Sequence, residues 1–125
     1  MAALPTRRFG RTELEIPLLS LGGMRFQQSW TDLPAGEITA ESQVNLEATL
    51  QRAVDRGLHH VETARHYGSS ERQLGWALPR CLDDHRLLQS KVPPRANPAD
   101  FEAELELTFE RLNCQRLDLL AIHGI

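Results

Sequence analysis

Leu58-His59-His60-Val61-Glu62-Thr63-Ala64-Arg65-His66-Tyr67-Gly68-Ser69-Ser70-Glu71-Arg72, residues 58–72, is the stretch on which the fold turns. It reads as a short buried strand ending at Glu62, a loop carrying Tyr67 and Gly68, and a helix capped near Ser69 or Ser70. A strand-loop-helix of this kind delivers ionisable side chains to one rim of a sheet, the rim where α/β proteins do their chemistry. Two composition facts draw attention to that rim. Tyr67 is the only tyrosine of the chain, and Lys91 is the only lysine beside 13 arginines.

Working outward, the same alternation repeats on both sides. Upstream, Leu46, Leu50, Ala53 and Val54 fall on one face of a helix over residues 41–56, and Gly57 supplies its stop. The run 18–21, bounded by Pro17 and Gly22-Gly23, predicts a fully buried parallel strand. Before it, residues 7–16 read as a small hairpin with Gly10 at the turn. The segment 25–40, with Trp30, Pro34 and Gly36, is a long loop expected to overhang the rim of Tyr67. Downstream, a helix over 70–78 should end at Pro79, and a strand over 86–92 should stop at Pro93-Pro94. Asn97-Pro98 starts a third helix, with Phe101, Leu105, Thr108, Phe109 and Leu112 on one face, and a last strand covers 117–122.

The 125 residues, 41% of them hydrophobic, suffice for one domain with a real core. The net charge of −3 and the scattered arginines give no support to nucleic-acid or anionic-membrane binding. No run approaches a membrane-spanning length and no secretory leader is visible, so the expected location is cytoplasmic. Cys81 and Cys114 stand alone, without zinc spacing, and are expected as reduced, buried thiols; no metal site is predicted.

A hairpin followed by β-α-β-α-β-α-β is an α/β protein with a parallel sheet, either open and doubly wound or an arc of a barrel. A dinucleotide-binding sheet calls for G-x-G-x-x-G after its first strand, whereas here a long loop follows Gly22-Gly23, so the barrel is the better reading. Strand parity places His60 and Glu62 on one face with Leu87, Gln89 and Lys91, and with Leu119, Ala121 and His123. Glu62, Lys91 and His123 then share a rim with Tyr67. A phenol, of reference pKa about 10, is a poor proton donor near neutrality unless a cation stabilises its phenolate. Lys91, held by Glu62, can be that cation, and a neutral His123 can hydrogen-bond a carbonyl oxygen. Singly, each of these is an ordinary loop or strand-end residue; their joint placement argues for a site. His60 is expected to be structural, bonded to Gln89, and His59, His66 and His85 to be surface residues. Phe26 and Trp30 either line a substrate pocket or pack the long loop onto the rim.

Glu62-Thr63-Ala64-x-x-Tyr67-Gly68-x-x-Glu71, then Ser90-Lys91, then His123, together with Arg7-Arg8-Phe9-Gly10-Arg11-Thr12 and Leu21-Gly22-Gly23-Met24-Arg25, resemble the aldo/keto reductases. The resemblance implies an NADPH-dependent oxidoreductase on a TIM barrel that reduces a small aldehyde or ketone. Tyr67 would be the proton donor, Lys91 and Glu62 would tune it, and His123 would position the substrate carbonyl. The nicotinamide would lie near Gly22, Gly23 and Met24. Glu62 stands where the family usually has Asp; the branch with Glu here looks closest, and its fuller members can carry a C-terminal iron-sulfur segment. A TIM barrel needs eight βα units and about 250 residues, and this chain supplies four strands. The expectation is therefore a partial reductase domain over residues 1–125, the first half of a (β/α)8 barrel after a short hairpin. On this expectation the chain is cut after the fourth barrel strand, lacks the nucleotide clamp of the second half, and is inactive. Exposed sheet edges would favour self-association. The rival expectation is a non-catalytic α/β module that associates through such an edge.

Overall fold

Gly10, at φ +58, turns the chain between two short strands, β1 (Thr6–Arg8) and β2 (Glu15–Pro17), which pair antiparallel with Thr6 opposite Pro17 and Arg8 opposite Glu15. The computed structural model describes residues 4–81 and 86–124, so His85 falls outside the described residues. Beyond the hairpin, β3 (Leu21–Gly22), β4 (His60–Glu62), β5 (Leu87–Val92) and β6 (Leu119–Ile122) form one parallel sheet in the order β3-β4-β5-β6. The crossovers are α1 (Ala40–Val54), α2 (Ser70–Cys81) and α3 (Pro98–Leu112).

Local chemistry sets the helix ends. The Thr39 side chain accepts from the Ser42 N–H, and the Asn97 side chain accepts from the Ala99 N–H with Pro98 in the first turn. Asn113, at φ 49, closes α3 in the left-handed conformation that asparagine tolerates better than most residues. Leu46 and Leu50 of α1, Leu74, Ala77 and Leu78 of α2, and Leu112 of α3 join one buried cluster with Val61 of β4 and Leu88 of β5. All three helices thus cover the same face of the sheet, as in the wall of a barrel, whereas a doubly wound sheet carries helices on both faces.

The two faces of β5 differ accordingly. Leu88, Ser90 and Val92 are buried against the helices, while Gln89 and Lys91, on the concave side, are only half-buried. On β6 the helix-side residues Leu120 and Ile122 are 45% and 49% exposed.

Two sequence expectations fail in detail. The run 18–21 is not a buried strand: only Leu21 pairs with the sheet, opposite Val61, and Leu18 and Leu19 are 54% and 58% exposed. Because β4 starts at His60, the residues before Ser20 have no neighbouring strand to join, and the Leu18 N–H turns back to the Pro5 carbonyl. Nor does Pro79 end α2, which continues to Cys81. So close to the helix end, a proline removes one intrahelical bond, and the packing of Leu74, Ala77 and Leu78 carries the helix past it.

Candidate active site at the strand-end rim

The register that aligns Glu62 with Gln89 and Lys91 with Ala121 puts these residues on the concave face, and the His123 N–H extends the ladder by donating to the Val92 carbonyl at 2.9 Å. Glu62 and Lys91 form an ion pair, with side chains 24% and 17% exposed. The Lys91 Nζ lies 4.7 Å from the centroid of the Tyr67 ring, and His123 meets that ring edge-on, with centroids 5.5 Å apart and planes at 86°. His66 approaches His123 from outside at 6.0 Å. Glu62, Tyr67, Lys91 and His123 are therefore brought together from two strand ends and two loops.

The electrostatics of the cluster have physical causes. Burial holds Lys91 below the ordinary lysine value. His123 is also held low, by burial first and then by the charges of Lys91 and His66, so its imidazole is neutral at neutral pH. Its Nδ1 is buried without a hydrogen-bond partner.

The loop that presents Tyr67 is built by its backbone. The Thr63 N–H donates to the Gln89 carbonyl at 2.9 Å and the Arg65 N–H to the Lys91 carbonyl at 2.8 Å, carrying the β4–β5 ladder past the strand end. The Tyr67 N–H donates back to Ala64 at 3.1 Å, and the Ser70 N–H to Tyr67 at 2.9 Å, which leads directly into α2. Gly68, at φ +51, lies under the long loop so closely that a Cβ there would fall 1.7 Å from the Ser29 carbonyl oxygen. The Gln28 N–H donates to the Ser69 Oγ at 2.9 Å, so the long loop does overhang the rim.

One layer below, the Ser20 hydroxyl is 2.7 Å from His60 Nδ1, and His60 Nε2 is 3.2 Å from Gln89 Oε1. Gln89 Oε1 can only accept, so Nε2 carries the proton and Nδ1 accepts from Ser20. His60 is thus a buried structural histidine bonded to Gln89, and burial lowers its pKa.

Of the other expected residues, Phe26 and Trp30 do not join the rim cluster, whereas Gly22 pairs opposite Glu62 at the strand-end rim. Phe26 is buried in the hydrophobic cluster, while Trp30 is 62% exposed on the long loop, so the two do not form one pocket wall. Of the Gly22-Gly23-Met24 segment, Gly22 has an open face and Met24 is 36% exposed. Gly23 is different. A Cβ there would sit 3.0 Å from both the Glu62 carbonyl and the Ser70 Oγ, so its lack of a side chain serves packing under the site. His59 bonds the Gly57 carbonyl and His66 is exposed. Cys81 and Cys114 are free thiols, partly buried. Among the described residues no group of three or more His, Cys, Asp or Glu side chains could hold a metal, and no helix is long and apolar enough to cross a membrane. A cavity of about 770 Å³, lined by Arg86, Asn113 and Arg116 among others, opens at the opposite end of β5 and contains none of the rim residues.

A feature that sequence reasoning missed surrounds the site from the helix side. Arg65 and Glu71 form an ion pair with side chains 4% and 1% exposed. Asp32 of the long loop accepts from Arg65 Nη2 at 2.7 Å and from Arg111 Nε at 3.2 Å. The available signal was periodicity: Glu71 precedes Leu74 and Leu78 at i, i+3 and i+7, on the face of α2 that packs inward.

The aldo/keto reductase family model matches residues 18–125. Among solved structures, a thermostable aldo-keto reductase in complex with the inhibitor epalrestat is 28% identical, with a TM-score of 0.81 over 96% of this chain and 43% of that one. An aldo-keto reductase from Klebsiella pneumoniae in complex with NADPH is 27% identical, with a TM-score of 0.73 over 98% of this chain and 40% of that one. A structure from the same organism with NADP and acetate is 29% identical, with a TM-score of 0.71 over 97% and 40% of the respective chains. No curated protein matches. The chain spans less than half the length of the solved reductases it matches, 47%, 46% and 43% of the first three. With four parallel strands behind a short hairpin and helices on one face, matching the N-terminal part of that TIM barrel, the chain belongs to the aldo/keto reductase family.

Proposed function

We propose that this chain carries the proton-transfer groups of an NADPH-dependent reductase of small aldehydes or ketones. The observation that carries the reading is the position of Lys91, ion-paired to Glu62 and 4.7 Å from the centre of the Tyr67 ring, with His123 edge-on to the same ring. Tyr67 gives its proton to the substrate oxygen, and Lys91 stabilises the phenolate left behind. Glu62 keeps the ammonium in place. The neutral imidazole of His123 donates a hydrogen bond that orients the carbonyl. Glu in place of Asp lengthens the carboxylate arm by one methylene, and the ion pair still forms.

The residues at the end of β3 fit a cofactor ring laid across the rim. Gly22 offers an open face and Met24 a half-exposed side chain, while Gly23 is committed to packing. NADPH, when bound, supplies the hydride. The chain's own part is to orient the carbonyl and to hold the proton on Tyr67. The pyrophosphate and adenosine would be held by a second set of βα units, so residues 1–125 by themselves are expected neither to bind NADPH tightly nor to reduce a carbonyl. The setting is cytoplasmic.

The test is aldehyde-dependent NADPH oxidation by an extended chain that carries residues 1–125 and four further βα units. Turnover that disappears in Tyr67→Phe supports the reading, and turnover that survives it overturns it. A second reading, a non-catalytic module that associates through a sheet edge, is favoured by the exposure of Leu120 and Ile122 on the edge strand β6. An extended chain with no turnover would favour that reading.

A further inference from the structure

Arg65 and Glu71 form a buried ion pair that the proton-transfer chemistry does not use. Burying two charges costs desolvation that apolar residues of similar volume avoid, so such a pair is poorly explained by stability alone. Its geometry is more informative. The Arg65 main-chain N–H donates to the Lys91 carbonyl at 2.8 Å, while its Nη1 donates to Glu71 Oε2. The other carboxylate oxygen, Glu71 Oε1, accepts from the Ser90 hydroxyl at 2.7 Å. Residues 90 and 91 are thus gripped from two sides by one closed circuit, running from the loop through the start of α2 to β5. Tyr67 is two residues beyond Arg65 on that loop, tied to it by the bond from its N–H to the Ala64 carbonyl. Asp32, accepting from Arg65 at 2.7 Å, fastens the circuit to the overhanging loop.

We propose that Arg65 and Glu71 are positioning residues that set the separation between Lys91 and Tyr67. The inference deepens the reductase reading and rests on Lys91 and Tyr67 being the reacting pair. Neither residue reaches the concave face: the groups that face Lys91 there are Glu62 from β4, Tyr67 from the loop and His123 beyond β6. Their influence on Lys91 therefore passes through the backbone of β5 and the loop.

Because the chain has one lysine and one tyrosine, both sides of the contact can be observed without ambiguity. The experiment uses the 125-residue chain, labelled at lysine and tyrosine and kept at a concentration where sedimentation shows a single species, with nuclear Overhauser contacts from the Lys91 side chain to the Tyr67 ring and a titration of the Lys91 Nζ resonance. The variants are Glu71→Gln, Ser90→Ala and the paired replacement Arg65→Met/Glu71→Leu, which keeps apolar bulk and leaves no charge unpaired. The expected result is the lysine–tyrosine contact in the parent chain and its loss in all three variants. The Lys91 midpoint should rise toward the ordinary lysine value as the ammonium escapes to water. The direction is diagnostic for Glu71→Gln, since mere loss of a distant negative charge would lower the midpoint. A folded paired variant that keeps the contact and the midpoint of the parent overturns the proposal, as does a parent chain without the contact. Should the paired variant fail to fold, Ser90→Ala decides by the same readout, because it removes one hydrogen bond and no charge. An extended enzyme without turnover, in which the contact still responds to these variants, would refute the reductase reading and leave the positioning role standing.

Discussion

Lys91 reaches Tyr67 across the rim, with its ammonium 4.7 Å from the ring centroid, while the other side of that ammonium is neutralised by Glu62. The contact lies within the range of a cation–π interaction and leaves the lysine beside the phenol. Tyr67→Phe keeps the ring and removes the hydroxyl, and with it the transferable proton. In an extended enzyme, carbonyl reduction should fall by roughly 10²–10⁴-fold, the range of a lost general acid, with NADPH affinity unchanged. Steady-state kinetics and a cofactor titration measure the two effects separately.

Lys91→Arg should also fail. Arginine keeps the charge but is planar, longer and a poor substitute for a compact ammonium packed between a carboxylate and a ring. Turnover close to that of the parent enzyme would place the tuning cation elsewhere. The alkaline limb of the parent's pH profile should lie below the ordinary lysine value, because burial favours the neutral amine.

The histidines give a stability prediction with a definite sign. His60 and His123 are both held below the ordinary histidine value of 6.5 in the folded chain, for each chiefly because burial disfavours the charged ring. Between the lowered value and 6.5 the unfolded chain binds more protons, so stability rises with pH across that window and falls on acidification. Denaturant midpoints measured from pH 7 downward should decrease, and His60→Gln should flatten part of the slope. A slope unchanged by His60→Gln would remove that residue from the account.

Gly68→Ala should destabilise the chain and displace the long loop. The left-handed backbone costs a non-glycine residue about 1–3 kcal/mol where strained. Here the new methyl would also meet the Ser29 carbonyl at 1.7 Å, a backbone atom that cannot swing aside as a side chain does. Thermal unfolding measures the loss, and increased proteolysis within residues 26–39 would report the displaced loop.

Much of this site was legible because it obeys period two. Glu62, Lys91 and His123 occupy positions of one parity on successive strand ends, and parallel registers preserve that parity, as the pairs Glu62–Gln89 and Lys91–Ala121 show. Tyr67 was legible from its place between a strand end and a helix start. In the buried network of Arg65, Glu71 and Asp32 only Glu71 left a trace, its spacing with Leu74 and Leu78, since an arginine in a polar loop looks alike in sequence whether it is solvated or sealed by carboxylates. Leu18 and Leu19 misled for a related reason: apolar character marks a wish for burial, while strand pairing depends on where the neighbour begins, at His60. Phe26 and Trp30, four residues apart in one loop, took opposite fates because one side chain reaches the core and the other does not.

The isolated 125-residue chain should associate. β3 and β6 end the sheet with unpaired backbone groups, and such edges template pairing with other chains. Leu18 and Leu19 lie near the β3 edge, and Leu120 and Ile122 on β6 itself, all about half exposed. The concave side adds Leu119 and Ala121, which in a closed barrel would meet side chains from opposite strands. Sedimentation should therefore show mass increasing with concentration, and a dye that fluoresces on apolar surface should bind. Charges placed at the edge, as in Leu120→Lys with Ile122→Glu, should suppress both signals while leaving the helical content intact. Tight NADPH binding by a well-behaved monomer would contradict this account and require a complete nucleotide site within the four strands.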